Sequence, residues 1–315
     1  MSSVSPAPAT LSPGDAHRES VRGFWAAFSA FTIWGLLPLY LKLLTGITAI
    51  QITANRLLWG CLLTSAIVLA RGEWPQIRAA LANPRSRLYL FASALLITTN
   101  WLIYAWAITN NHVIESSLGY FINPLLNILL GVFVLSEKLN RTQWIAVALA
   151  ASAVIFLTWT AGRPPWIALG LAGSFGFYGL LRKLVTVDAL PGLTTETLIV
   201  APFALIYLLW CYANGTSALG SVGTLQTITL ILGGAVSAIP LVMFAYGARR
   251  IPYSLVGVLQ YIGPTLQFLT GLFLYHEPFT STRGIGFGLI WIALAVYAVD
   301  GIVRSRKAAT AAAAA

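Results

Sequence analysis

Residues 119–137 read Gly119-Tyr120-Phe121-Ile122-Asn123-Pro124-Leu125-Leu126-Asn127-Ile128-Leu129-Leu130-Gly131-Val132-Phe133-Val134-Leu135-Ser136-Glu137. The pattern returns at 259–277 as Leu259-Gln260-Tyr261-Ile262-Gly263-Pro264-Thr265-Leu266-Gln267-Phe268-Leu269-Thr270-Gly271-Leu272-Phe273-Leu274-Tyr275-His276-Glu277. Without a gap, Ile122, Pro124, Leu126, Leu129, Gly131, Phe133 and Glu137 meet identical residues at 262, 264, 266, 269, 271, 273 and 277, and Asn127 meets Gln267. Each copy is a long apolar run with a proline near its middle and a carboxylate at its end. The chain therefore carries an internal duplication at a shift of 140 (264 minus 124).

The surrounding composition says where such a duplication folds. Apolar residues make up 58% of the 315 and charged ones 9%, against roughly 25% charged in a soluble domain. Mean hydropathy is +0.79. One run of about 20 apolar residues after another, each long enough to cross a bilayer, predicts an all-α integral membrane protein. Ten spans are expected, at 23–43, 51–70, 88–108, 115–135, 142–160, 165–181, 193–213, 226–247, 254–275 and 283–301. The first run, beginning at Gly23, is too long for a signal peptide and is read as the first helix. Residues 1–22 read as a disordered cytoplasmic tail, and 304–315 as a basic stretch followed by an alanine-rich tail.

The net charge of +10 is distributed by loop rather than gathered into a nucleic-acid patch. With the N-terminus in the cytoplasm, fifteen basic residues fall inside: Arg18, Arg22, Arg71, Arg78, Arg85, Arg87, Lys138, Arg141, Arg182, Lys183, Arg249, Arg250, Arg304, Arg306 and Lys307. Arg163 and Arg283 fall outside, and Lys42 and Arg56 lie at or within span ends. This is the positive-inside pattern with both termini cytoplasmic. Five spans per half then turn the second copy over in the membrane. The expected domains are a first five-helix repeat at 23–160 and an inverted second repeat at 161–303, the arrangement of many secondary transporters. Phe31-Thr-Ile-Trp34-Gly35-Leu36-Leu37 matches Phe175-Gly-Phe-Tyr178-Gly179-Leu180-Leu181, and Tyr104-Ala-Trp-Ala107 matches Phe244-Ala-Tyr-Gly247. Cys61 and Cys211, both in apolar stretches, suggest neither a disulfide framework nor a metal site.

Pro124 and Pro264 are candidate helix breaks, because an interior proline removes a backbone hydrogen bond and frees a carbonyl. A bland reading stays open, since prolines are common in membrane helices. Tyr120, Asn123, Asn127 and Gly131 recur at three- and four-residue steps and share a helix face; the twin face carries Gln260, Gly263, Gln267 and Gly271. Buried amides offer donors and acceptors to a ligand, or simply tie helices together. With Asn100, Tyr104, Tyr261 and the aromatic walls Trp34 and Tyr178, these residues are the candidate lining of a central substrate site. Ionisable residues at membrane depth are candidates for gating or coupling: Lys42, Arg56 and Glu115 as one cluster at the outer side, and Glu196, the counterpart of Arg56, near the inner side. Interfacial ion pairing is the alternative for that cluster. Glu137 and Glu277 are expected to anchor helix ends or gate.

At these residues the chain resembles the drug/metabolite transporter superfamily, specifically the EamA-type RarD proteins of bacteria. The specific stretches are Phe31-Thr-Ile-Trp34-Gly35, Asn110-Asn-His-Val-Ile-Glu115-Ser-Ser-Leu-Gly-Tyr120-Phe-Ile-Asn123-Pro124 and Gln260-Tyr-Ile-Gly-Pro264-Thr. The likeness spans about residues 22 to 303. It implies ten helices in two EamA repeats, an inner-membrane location and a permease role often named for chloramphenicol sensitivity. No Walker A pattern is present, so no ATPase is expected. His17, His112 and His276 are scattered and the acids do not cluster, which argues against an enzyme; a passive channel is the other alternative. The expected partners are the lipid bilayer, a small neutral, zwitterionic or aromatic substrate and a coupling proton or ion, with no cofactor and no nucleic acid. The chain is expected to act as a monomer or weak dimer.

Overall fold

The computed structural model describes the backbone of residues 13–135, 139–248, 250–251, 255–256 and 259–314. Glu137, Lys138 and Arg249 lie outside the described residues, as do 1–12 of the expected tail. Among the described residues, eight helical spans are long and apolar enough to cross a membrane: Arg18–Lys42, Ala49–Ala70, Pro84–Thr109, Val113–Val134, Arg141–Ala161, Ala189–Ala213, Thr224–Ala248 and Ser281–Gly301. The chain is an all-α membrane protein. The other two expected spans correspond to Trp166–Leu184, a helix of 19 residues, and to the shorter apolar stretch Ile262–Leu274.

Helix ends follow local chemistry. Helix α1 (Pro13–Gly35) starts on a proline, whose missing N–H costs nothing in a first turn. Residues 13–22 are therefore helical rather than a disordered tail. The chain turns at Leu36 and continues as α2 (Leu37–Lys42), with Pro38 in its first turn. Thr48 caps α3 (Ala49–Ala70), its side chain accepting from the Gln51 N–H. A short helix absent from the sequence reading, α4 (Trp74–Ala82), buries Ile77 and Ala80 beside the end of α3. Asn83 then caps α5 (Pro84–Thr109), accepting from the Arg85 and Ser86 N–H groups at 3.0 and 3.2 Å. α6 spans Val113–Leu135. Asn140 and Gln143 form a reciprocal capping box at the start of α7 (Arg141–Ala161), which ends on Gly162 at φ 67°, a left-handed position that suits glycine. α8 (Trp166–Leu184), α9 (Ala189–Ala213) and α10 (Thr224–Ala248) follow. α11 (Ile262–Leu269) runs into a π-helical segment, Thr270–Leu274. α12 (Ser281–Ala314) continues through the alanine-rich stretch, alanine being the strongest helix former.

The two prolines behave differently. α6 runs unbroken past Pro124, so no helix break occurs there. Pro264 is the third residue of α11, where an N–H has no helical acceptor in any case. The discontinuities of this stretch fall elsewhere, at the turn before Ile262 and in the π segment, where the Tyr275 N–H reaches back to the Thr270 carbonyl at 3.0 Å.

Packing runs mainly between the halves. α1 lies on α10, α3 on α9 and α10, α5 and α6 on α8, and α7 on α12. Exchanging the halves maps α1 on α10 to α8 on α5, and leaves α3 on α9 and α7 on α12 unchanged. The outward faces are apolar, with Phe133, Trp159, Phe203 and Tyr212 largely exposed, as helices bathed in hydrocarbon require.

Candidate functional site

One face of α5 organises the interior. Ser93, Asn100 and Tyr104 recur at seven and four residues and are all buried. Tyr104 packs edge-on to Tyr120 of α6, with centroids 5.7 Å apart. Tyr120 packs on Phe175 of α8 at 6.2 Å, and Phe175 on Tyr178 at 5.8 Å. Asn100 braces this ladder. Its Oδ1 accepts from the Tyr120 hydroxyl at 3.2 Å, and its Nδ2 donates to the Leu171 carbonyl and to Ser174 Oγ at 3.1 and 3.0 Å.

Glu196 stands at the Tyr178 end of the ladder. It is 1% exposed, and accepts from Ser93 Oγ at 2.6 Å and from the Tyr178 hydroxyl at 3.2 Å. Arg182 Nε lies 3.7 Å from its Oε1, and Arg182 Nη2 donates to the Asp188 carbonyl. The sequence reading separates Glu196 from Arg56, and here Arg182 is its cation.

Arg56 stands near the other end and is 3% exposed. Its Nε and Nη2 both donate to Ser237 Oγ of α10 at 3.2 Å. The guanidinium lies over the Trp101 ring, 4.8 Å from its centroid. Gly233 makes room for it: a Cβ there would sit 2.6 Å from the Tyr40 hydroxyl and 2.8 Å from Arg56 Cγ. Tyr40 donates to the Thr229 carbonyl at 3.0 Å. Among the described residues no carboxylate is within ion-pair distance of Arg56, and its Nη1 is buried with no acceptor. The hydroxyl of Tyr104 is likewise buried and unpartnered.

The expected cluster of Lys42, Arg56 and Glu115 does not form. Lys42 Nζ donates to Asn111 Oδ1 at 2.5 Å and lies over the Tyr275 ring. Glu115 accepts from the Ile167 N–H at 3.3 Å and lies 3.9 Å from His112 Nδ1. Both tie loops at one end of the bundle, while the side chain of Arg56 is spent on α10, inside it. Glu277 does anchor a helix end, as expected: its carboxylate accepts from the Val113 and Ile114 N–H groups at 2.7 and 2.9 Å. These are the first residues of α6, where backbone donors lack helical acceptors and the helix dipole favours an anion. Gly271 permits that approach, since a Cβ there would meet Ile114 Cγ1 at 2.8 Å.

Of the expected lining, Asn100, Tyr104, Tyr120 and Tyr178 come together. The others part from them. Gln267 donates to the Trp34 carbonyl at 3.1 Å and joins α11 to α1, while the Trp34 ring packs on Phe31 and Phe244. Asn123 is buried with its Oδ1 unpartnered. Asn127 is exposed, with its Oδ1 beside Gly176 of α8. Tyr261 packs against the separate core of α6, α7 and α12, and Gln260 is half-buried. Sequence reasoning missed Tyr40, Ser93, Trp101, Ser174 and Ser237, and took Arg182 only as a loop charge. Two signals were available: the seven-residue step from Ser93 to Asn100, and the four-residue step from Tyr178 to Arg182.

Comparison with known proteins agrees with this architecture. Residues 21–159 match the EamA-like transporter family. An uncharacterised transporter of Pseudomonas aeruginosa is 44% identical over 89% of this chain and 94% of its own length. Protein RarD of Escherichia coli K12 is 39% identical over 92% of this chain and 98% of its own. A solved crystal structure only 20% identical superposes with a TM-score of 0.57, covering 90% of this chain and 97% of that one, which speaks for the fold alone. The chain belongs to the EamA-type RarD permease family and is a multi-pass membrane transporter.

Proposed function

We propose that the chain is a secondary transporter that moves a small molecule across the bacterial cytoplasmic membrane by alternating access. Ten crossings in two inverted repeats, with both termini cytoplasmic, carry the process. The basic-residue count puts the Lys42, Asn111 and Glu277 end outside and the Arg182 end inside.

The observation that carries this reading is the aromatic ladder from the neighbourhood of Arg56 to Glu196. It draws on α5 and α6 of one half and α8 of the other. Polar groups buried in a bilayer are costly, so a connected file of phenols, amides and opposed charges across the bundle fits a path for a solute. The helices that pack across the halves are the ones that must slide when access alternates. On the outer side, Glu277 bound to the start of α6 acts as the closure to be released. A membrane enzyme usually gathers acids, histidines or a metal cluster at one interface. Glu115, Glu196 and Glu277 instead each hold separate partners.

The test is counterflow in proteoliposomes over a panel of small aromatic metabolites. Saturable uptake accelerated by the same compound inside supports a carrier. Flux that rises linearly with concentration indicates a channel, and chemical conversion of the compound indicates an enzyme.

A further inference from the structure

We propose that Arg56 is a carboxylate-binding site, whose free guanidinium edge takes the carboxylate of an aromatic monoanion or zwitterion. This rests on the transport reading and names the substrate class.

Three features of the guanidinium lead there. One is its isolation: a buried cation with no carboxylate within ion-pair distance among the described residues. Removing a charge from water is strongly unfavourable unless it is paired, so a site that keeps such a charge is complete only with an anion in it. Another is the edge left open. Ser237 Oγ takes both Nε and Nη2 on one side, which leaves Nη1 and the second Nη2 hydrogen. Those donors form the parallel pair that a carboxylate accepts in bidentate fashion. The last is the setting. The Trp101 ring covers a face of the guanidinium at 4.8 Å. The Tyr104 hydroxyl has no partner of its own, and the phenols of Tyr40, Tyr104 and Tyr120 are the ionisable neighbours of Arg56. A phenol hydroxyl can donate to a carboxylate oxygen, and the Tyr104–Tyr120–Phe175 ladder offers ring edges to an aromatic body.

The charge count selects the ligand further. One unpaired cation balances one negative charge. A dianion such as a phosphate monoester would carry an uncompensated charge into the apolar bundle. A zwitterion presents the same carboxylate to the fork.

The experiment uses the full-length protein in nanodiscs and three matched pairs: phenylacetate and phenylacetamide, indole-3-acetate and indole-3-acetamide, phenylalanine and phenylalaninamide. Calorimetry and thermal shift should show at least one acid binding about tenfold or more tighter than its amide, the preference a charged hydrogen-bonded pair supplies. Arg56→Gln should abolish that preference. The proposal is overturned if no acid is preferred or if the preference survives Arg56→Gln. Should Arg56→Gln fail to remain monodisperse, Arg56→Lys decides. It keeps the charge but loses the fork, so acid affinity should fall several-fold while amide affinity holds; wild-type acid affinity would overturn the site. Flux of the bound acid separates the two readings. An acid held through Arg56 but never carried refutes transport and leaves the site. An acid carried equally by wild type and Arg56→Gln refutes the site and leaves transport.

Discussion

Arg56 and Glu196 occupy the same place in the two halves. α3 begins at Ala49 and α9 at Ala189, so each charge lies seven residues into its helix, about 10 Å along the axis. Glu196 is surrounded by a serine, a tyrosine and an arginine, whereas Arg56 has one serine and a ring face. Duplication copied the backbone environment and left the chemistry to diverge. Ser93, which serves Glu196, has Gly233 as its counterpart at a shift of 140, and there the missing side chain admits Arg56 and Tyr40. One half holds its charge with its own protein partners, and the other keeps its charge available.

That contrast can be broken at its strongest point first. Arg182→Leu strips the cation from a carboxylate buried at 1% exposure, and should cost about 3–5 kcal/mol, the penalty for leaving one member of a buried pair. Thermal or denaturant unfolding of the purified protein measures it. Adding Glu196→Gln to Arg182→Leu should recover most of the loss. If Arg182→Leu is harmless, Glu196 does not depend on its pair and the contrast collapses.

The next effect is at the contact of Glu277 with the start of α6. Glu277→Gln leaves one neutral acceptor where two carboxylate oxygens each took an N–H, sets an amide NH2 against the other donor, and should cost about 1.5–3 kcal/mol of that contact. Spectroscopic distance probes at the Val113 end of α6 and the Ser281 end of α12 should show the population shifting toward separation. Unchanged distances would leave Glu277 as a helix cap without a gating role.

Arg56→Leu sharpens the comparison from the other side. Removing a charge that no carboxylate holds should lower stability by no more than about 1 kcal/mol, because the cost of keeping that ion out of water is relieved. Transport should nevertheless be lost. A large loss of stability would mean that Arg56 is a structural residue. Smallest of all are Glu115→Gln and Lys42→Gln, each expected within about 1 kcal/mol, as solvent-accessible pairs at a helix end contribute little. Asn127→Ala should likewise leave unfolding and flux close to wild type, since its amide is exposed beside Gly176.

The sequence made the helices and their duplication legible because length, hydropathy and the repeated Pro-x-x-Gln/Asn pattern are local properties. It located Arg56 and Glu196 as charges at depth for the same reason. Their partners were not legible, because Ser237 and Ser93 lie on other helices far along the chain. Helical spacing found Asn100 and Tyr104, which share a face that packing covers. Spacing does not say what faces Asn127, whose exposure depends on the residue opposite, nor what surrounds Tyr261, whose neighbours are set by the turn before α11 and by the π segment. In a bilayer both the packed and the lipid-facing sides of a helix are apolar, so composition alone does not say which face is which.

The carboxylate of Glu277 on the first two amides of α6 has a consequence for observation. Those two protons sit in the buried contact between α6 and the stretch after the π segment, and exchange with solvent only when that contact parts. Amide exchange at Val113 and Ile114 therefore counts openings of that contact in the unmodified protein, with no label attached. Exchange there should slow when a ligand holds this contact shut and quicken when one draws it open, which makes these two backbone positions a built-in recorder of that motion.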